Sequence, residues 1–568
     1  MSDKPDKVID LAAQVEARLQ QEAAELAAAE AEHVDQDSTA GGPDDPRFVM
    51  QCLANNERGD GILFTALQRG KFVYNKTNAL WYSWAGHHWE VDKLNLATTG
   101  VESVALKYLD QAAMVRSELD ELRNELGALE TQAETCRAAK DQAGADAATG
   151  KAKRLAYQID KVNKKLKDLN KRVERLRTVR GASNCLTWAH CVERPLAIVG
   201  DEIDKRPMLL ACKNGVIDLE TGRLHPGNPE DYLVRAIPVD YYGIEHVNED
   251  WERFQRDIHQ DEEDFISFVR RYFGYSITGL TKEQHLACFI GEGANGKGTM
   301  FETLHEVLGE LAWSIDPEMI LEQKNAKSSA GPSPDIVSLY GRRLVIASET
   351  DPNRRISGAK VKRLTGSDTL TGRAPHDKYE INFIPTHTLA AITNHAPRGL
   401  AADFALFRRL LYLNYPLRYV ADPELEARSD PQNAGIYRQR DPDLPAKLLA
   451  NKPGILAWLV RGCLEWQRDG LKPPEKLRAA AEEIRRNEDH LARFIEDNCE
   501  RVDSERRIMF KALYANFDQW FADNVDEDKR YRPGKKAIGD QLRRKGYRVE
   551  NTGGQVYVYG LTIEGCYA

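Results

Sequence analysis

The period of the apolar positions changes several times along this 568-residue chain, and each change marks an element. Leu286 to Ile290 is an unbroken apolar run, the pattern of a strand buried on both faces. Leu344-Val-Ile-Ala347 and Thr388-Leu-Ala-Ala-Ile-Thr393 have the same character. Steps of three and four instead join Leu119, Leu122, Leu126, Leu129, Ala133 and Cys136, and again Leu155, Ile159, Val162, Leu166, Leu169, Val173 and Leu176. Two such seams, joined by a soft turn over Gly144 to Gly150, predict an antiparallel coiled-coil hairpin across about 111–180. Alternating aromatic positions from Phe72 to Asp92 (Trp81, Tyr82, Trp84 and Trp89 around Ala85-Gly86) predict a β-hairpin. Leu209 to Leu224 reads as two strands around a Thr221-Gly222 turn. Asp250 to Gly279 reads as helical, with Trp251, Phe254, Ile258, Phe265, Phe268 and Tyr272 on one face, and Phe404 to Leu413 as the end of a helical stretch. Near the C-terminus come an amphipathic helix (508–521), a basic helix (533–546) and two strands flanking Gly553-Gly554, which together predict a winged helix.

This order divides the chain into an acidic tail (1–46), a mixed N-terminal domain (47–243) carrying the hairpin, a helical collar (244–282), an α/β core (283–420), a helical linker (421–485) and a winged-helix domain (486–568). Composition changes that picture little: 42% hydrophobic and 29% charged residues are ordinary for globular domains. No apolar run reaches the roughly 20 residues that span a bilayer, so no membrane partner is expected. The acidic, Ala-rich start does not read as a secretory signal. Nine scattered cysteines, an odd number, point to a reducing cytoplasm. Cys185, His190 and Cys191 cluster, but no second ligand pair follows at zinc spacing. A net charge of −9 argues against wholesale coating of nucleic acid and leaves local basic surfaces to consider. The second arm of the hairpin is one (Lys161, Lys164, Lys165, Lys167, Lys171, Arg172), open to DNA, another subunit or solvent alone.

Chemistry concentrates after the first apolar strand. Gly291, Glu292, Gly293, Ala294, Asn295, Gly296, Lys297, Gly298 and Thr299 lie between that strand and a helix-periodic segment from Phe301 to Leu308. Glycines there let backbone N–H groups converge on phosphate, Lys297 adds a charge, and the helix N-terminus favours anions. The alternative is a glycine-rich turn, but its position favours a P-loop. Gly298 stands where a Ser or Thr commonly meets Mg²⁺, and Thr299 follows one residue later. The strand 344–347 delivers Glu349, with Asp351 as its potential partner, to the place of a carboxylate that orients metal or water. The strand 388–393 ends at Asn394, suited to sense a γ-phosphate. Leu370 to Phe383 reads as a hairpin tipped by His376, Asp377 and Lys378, and Arg408 and Arg409 are candidates for an arginine finger.

Lys297, Glu349, the box Lys362 to Asp368, the hairpin and Asn394, in that order, resemble the superfamily 3 helicases of the primase-helicase type found in phages, plasmids and poxviruses. Gly-Ala-Asn-Gly-Lys-Gly-Thr at 293–299, Ser-Glu-Thr at 348–350, Thr-Asn-His at 393–395 and Arg-Arg-Leu at 408–410 carry the resemblance. It implies an α/β fold with an AAA+-type P-loop ATPase core that uses ATP and Mg²⁺, assembles as a homo-oligomeric ring, usually a hexamer, and translocates 3′ to 5′ on single-stranded or forked DNA. Thr299, Glu349 and Asp351 would serve the metal, Asn394 the γ-phosphate, and Arg408 or Arg409 a neighbouring subunit. Lys362, His376 and Lys378 would grip DNA in the pore, and Lys535, Lys536, Arg543 and Arg544 would meet phosphates from the winged helix. The residues before the aromatic hairpin are too few and too simple to fold a primase, so a separate primase or polymerase is the expected partner, in a bacterial host cytoplasm. The rival readings are an ATP-dependent origin-binding initiator or loader, and a scaffold built on the coiled coil.

Overall fold

The computed structural model describes residues 41–323, 331–348, 355–375, 380–396, 404–525 and 532–563, so the predicted tail before residue 41 lies outside the described residues. The chain divides into two compact units, 1–85 with 89–202 and 86–88 with 203–568.

In the first unit α1 (Pro46–Ala54) and α2 (Asn56–Gln68) precede β1 (Phe72–Asn75), β2 (Leu80–Trp84) and β3 (Trp89–Val91). The aromatic segment is a three-stranded antiparallel meander in which Trp84 faces Trp89 across a turn, their rings 5.2 Å apart. Two long helices follow, α3 (Glu102–Ala138) and α4 (Gln142–Leu176), and both predicted seams, apart from Ala133 and Cys136 at the end of the first, lie in one core. Contacts from Arg137 to Thr149, Arg123 to Asn163 and Arg177 to Glu102 show that they run antiparallel. The turn is not at the glycines: it is Ala139 to Asp141, with Lys140 at φ +58° and Asp141 capping α4 through the Gly144 N–H. A left-handed residue followed by an N-cap needs only two positions, so Gly144 and Gly150 stay inside the helix. At the root of the hairpin Arg172 pairs with buried Asp60 at 3.1 Å, and the Tyr108 hydroxyl donates to the same carboxylate. The unit closes with α5 (Val179–Ala189) and β4 (Ala197–Ile198), parallel to β1.

The second unit opens with β5 (Leu209–Cys212), β6 (Gly215–Asp218), β7 (Arg223–His225) and β8 (Ala236–Ile237), a four-stranded sheet. Three strands, not two, occupy the stretch 209–225, because Lys213-Asn214 makes a turn of its own. Next come α6 (Glu249–Ile258), α7 (Glu263–Ser276), β9 (Leu286–Ile290), α8 (Lys297–Leu308), β10 (Ala312–Ile315), β11 (Leu344–Ser348) and α9 (Gly358–Thr365). The hairpin β12 (Leu370–Gly372) and β13 (Ile381–Phe383) then leads to β14 (Thr388–Thr393) and β15 (Leu410–Asn414). Phe404 to Phe407 is a single helical turn, and Leu410 to Leu413 is strand, which corrects the helical expectation. Its unbroken apolar run fits a strand covered on both faces.

Five of these strands form one parallel sheet in the order β10-β11-β14-β9-β15. Alternate residues feed two cores. Ala287, Phe289, Leu344, Ile346, Leu411 and Leu413 enter one, with α7 and α8; Leu286, Cys288, Ile290, Val345, Ala347, Leu410 and Tyr412 enter the other, with α9. After β16 (Arg418–Val420) and β17 (Tyr437–Gln439), α10 (Lys452–Asp469) packs on α7. Their backbones meet at Gly274 and Gly462, where an added Cβ would come within 2.1 Å of the other helix's main chain. The first core reaches from Leu210 to Leu477, so strands of the leading sheet, the collar helices, the parallel sheet and α10 share one interior.

The C-terminal part of this unit has α11 (Glu475–Glu488), α12 (His490–Asn498), β18 (Cys499–Arg501), β19 (Arg507–Met509), α13 (Phe510–Asn524), α14 (Lys535–Arg544), β20 (Val549–Thr552), β21 (Gln555–Tyr559) and β22 (Leu561–Ile563). Phe494, Phe517, Phe521, Ile538, Leu542 and Val558 join helices and sheet in a core of their own.

Candidate functional site

The loop between β9 and α8 is shaped by backbone conformations that few side chains allow. Gly293, Ala294 and Gly296 have φ of +48°, +50° and +86°. A Cβ on Gly291 would come within 2.3 Å of the Asn295 amide and 2.5 Å of the Tyr415 carbonyl. The loop is tied to its neighbours: the Gly291 N–H donates to the Thr393 carbonyl (3.2 Å), and Tyr415 N–H to the Ile290 carbonyl (2.8 Å).

Lys297, the first residue of α8, is buried. Its ammonium donates to the Gly291 carbonyl at 2.7 Å and to Asn295 Oδ1 at 2.9 Å, while the Asn295 amide donates to the Tyr415 carbonyl. Tyr415 is held in turn through its hydroxyl, 2.9 Å from His259 Nε2. Burial brings the Lys297 pKa down to about 8. A phosphate favours the charged lysine and raises that pKa, so binding above the free value must take up a proton. Affinity for a non-hydrolysable ATP analogue is expected to fall as pH rises through 8, by up to about tenfold per pH unit. Calorimetric titration on both sides of that pH checks it, and a flat profile contradicts it.

Register places the other predicted groups. Thr393 pairs with Ile290, so Asn394, exposed, follows β14 at the level where the glycine-rich loop begins. Ser348, the exposed end of β11, pairs with Ile392. The carboxylates expected just beyond it, Glu349 and Asp351, lie outside the described residues, as do the hairpin-tip residues His376 and Lys378. Of the residues expected at Mg²⁺, Thr299 is half exposed at the start of α8, while Gly298 is exposed, with Glu302 Oε1 4.0 Å from where a Cβ would lie. Among the described residues no group of three acidic, His or Cys side chains forms a metal site. Cys185 is buried and donates to the Asp60 carbonyl, while Cys191 is exposed.

Arg408 and Arg409 sit at the other end of the sheet. Leu410 pairs with Leu286 and Asn414 with Ile290, so the two arginines lie about 13 Å or more from their own glycine-rich loop. They differ from each other. The Arg409 guanidinium donates to Thr365 Oγ1 (3.1 Å) and to the Gln284 carbonyl, whereas Arg408 is exposed. Lys362 is half buried on α9. In the C-terminal part Lys535, Lys536, Arg543 and Arg544 are all exposed on α14, whose Ile538 and Leu542 face the core.

Two residues that contact the loop were absent from the sequence reading: Tyr415, and Tyr419, whose N–H donates to the Ala294 carbonyl at 2.6 Å. Tyr419 also borders a cavity of about 680 Å³ that opens against Ala294, Gly296 and Thr299.

Residues 62–260 match the family model described as D5 N terminal like. Two viral proteins named "Putative helicase" are similar to the chain. One, from Acanthamoeba polyphaga mimivirus, is 27% identical over 329 residues, covering 57% of this chain and 34% of the relative. The other, from Frog virus 3 (isolate Goorha), is 24% identical over 405 residues, covering 59% and 40%. The solved C-terminal region of NrS-1 aligns with a TM-score of 0.34 and 13% identity, over 57% of this chain and 79% of that one. The chain thus spans well under half the length of these curated relatives, which come mostly from viruses of eukaryotes. Fold and site define a mixed α/β protein with a parallel sheet and a glycine-rich loop at a strand end. Within that class the chain is similar to the D5-type primase-helicases, a superfamily 3 helicase-like family, through the segment 62–260 and these viral relatives. No described helix is long and apolar enough to cross a membrane.

Proposed function

We propose that this protein is an ATP-driven DNA helicase, acting as a homo-oligomeric ring that moves 3′ to 5′ along single-stranded DNA for a mobile genetic element. The observation that carries the reading is the buried Lys297 ammonium, held by Asn295 and the Gly291 carbonyl where the glycine-rich loop opens at the end of β9. Lys297 and the loop N–H groups take the phosphates. Thr299 is the described hydroxyl that would help hold Mg²⁺, with Glu349 and Asp351 as the carboxylates assigned beside it; a bound ion would supply neutralisation of phosphate charge. Glu349 orients water, and Asn394 meets the γ-phosphate. The sheet-end position of Arg408, remote from its own loop, supports a role at a neighbouring subunit's nucleotide.

DNA contacts are assigned to Lys362, His376 and Lys378 around the pore, and to Lys535, Lys536, Arg543 and Arg544 on α14. The pairing of α13 and α14 with the β19-β21-β20 sheet supports a winged-helix reading for that segment. The helical hairpin α3–α4 is read as a coiled-coil insertion, and a separate primase or polymerase as a partner. Strand separation on a tailed duplex tests the whole reading. DNA-stimulated hydrolysis without separation would favour an origin-binding initiator or loader.

A further inference from the structure

The outer face of α4 carries a row of like charges. Leu155, Ile159, Val162, Leu169 and Val173 are buried in the hairpin core, so the turns of the helix put Lys153, Lys164 and Lys171 on the opposite side, flanked by Lys161 and Lys167. All five lysines are exposed. Asp160 and Asp168 share that face, so five ammonium groups stand against two carboxylates. Among the described residues none of the five lysines makes an ion pair; those of α4 are made by Arg172 and Arg175 at its root. Lys161 and Lys164, Lys164 and Lys167, and Lys167 and Lys171 stand three or four positions apart, the spacing at which like charges repel on a helix. The hairpin leaves that repulsion in place, which favours an anionic partner from outside it.

From Lys153 to Lys171 the row runs about 27 Å along one uninterrupted helix, most of the roughly 34 Å of one turn of duplex DNA. A stiff polyanion with evenly spaced charges matches it. Unpaired bases do not: Tyr157 is the only aromatic residue of α4, and Lys161 Nζ lies 4.8 Å from its ring centre, so the face has no platform on which successive bases stack. The acidic arm of a second copy is a poorer match, because α3 intersperses its carboxylates with Arg116, Arg123 and Arg137, and Asp120 pairs with Arg123 at 3.7 Å. We infer that the outer face of α4 is a site for duplex DNA, along whose phosphate backbone Lys153, Lys161, Lys164, Lys167 and Lys171 lie without reading sequence. The inference extends the proposed handling of DNA from the single strand to the duplex, and it does not depend on the glycine-rich loop.

The test measures, on the full chain and across a salt series, affinity for a fully paired duplex and for an oligothymidine single strand. It compares wild type, a variant combining Lys164→Gln, Lys167→Gln and Lys171→Gln, and the matching variant with Arg at the same three positions. The Gln variant is expected to bind the duplex about tenfold or more weakly at low salt, and to flatten the dependence of log affinity on log salt by about 2 to 3, at about 0.9 per phosphate contact. Its affinity for the single strand and its melting stay as in wild type, and the Arg variant, which keeps the charge, binds the duplex as wild type does. Unchanged duplex affinity and salt slope in the Gln variant overturn the inference and leave the row a solvated face. If that variant keeps duplex binding but loses self-association in sedimentation, the row belongs to α3 of a second copy and the DNA assignment falls. Equal losses for duplex and single strand overturn the choice of the duplex. Wild type that binds the single strand but not the duplex overturns the inference and leaves the proposed function standing; wild type that binds neither removes both.

Discussion

Lys297→Ala is expected to lower ATP hydrolysis by at least about a hundredfold while leaving the fold intact. The magnitude follows from position. The ammonium is buried, it already costs solvation, as its depressed pKa shows, and it has two neutral acceptors in place of an anion. A phosphate arriving there gains a pre-positioned charge in surroundings that screen it weakly. Stability should not suffer, because removing the side chain leaves only the Gly291 carbonyl and the Asn295 amide oxygen to rehydrate at a loop that opens to solvent. Hydrolysis rates beside thermal melts of both proteins give the answer. A variant with wild-type turnover would remove Lys297 from the chemistry, and an unfolded one would recast it as structural.

Arg408→Ala and Arg409→Ala should behave differently, although the residues are neighbours. Arg409 bonds Thr365 and the Gln284 carbonyl, and its own carbonyl accepts from the Leu286 N–H at 2.7 Å. Truncating it strips hydrogen bonds between α9 and the parallel sheet, which should cost about 1–3 kcal/mol of stability. Arg408 makes no such investment and is exposed at the opposite end of the sheet from its own loop. In a ring it is the residue placed to reach the next subunit, so Arg408→Ala should reduce hydrolysis by about 10³-fold or more with unchanged melting. Mixing it with Lys297→Ala provides the control. Where an Arg408→Ala subunit lends its loop and a Lys297→Ala subunit its arginine, the shared site is complete, at about one interface in four of an equal mixture. Recovered hydrolysis in the mixture supports a shared site. An Arg408→Ala protein that hydrolyses ATP normally at concentrations where subunits assemble would end that assignment.

Much of this was legible in the sequence, and the exceptions have physical causes. Leu286 to Ile290 reads as a strand because it is apolar throughout and stops at glycine, and the helix behind Lys297 follows its own apolar spacing. The hairpin seams were legible for the same reason, but not their turn: Lys140 in the left-handed region and Asp141 as a cap are a quieter signal than the run of Gly and Ala that follows. Leu410 to Leu413 fits either a buried strand or a buried helix by period alone, and the sheet decided between them. Tyr415 and Tyr419 left no trace because they reach the glycine-rich loop through a main-chain carbonyl and a main-chain N–H, groups that almost any residue supplies. The contrast between Arg408 and Arg409 needed the third dimension, since both read as one dipeptide until Thr365 is seen beside the second.

The central claim is that hydrolysis at this site drives strand separation. The most direct measurement is ATP-dependent unwinding of a 3′-tailed duplex, with a 5′-tailed duplex and Lys297→Ala as controls. Separation of the 3′-tailed duplex by wild type alone is the predicted result. Wild type that hydrolyses ATP in response to DNA but releases no strand from either substrate would contradict it.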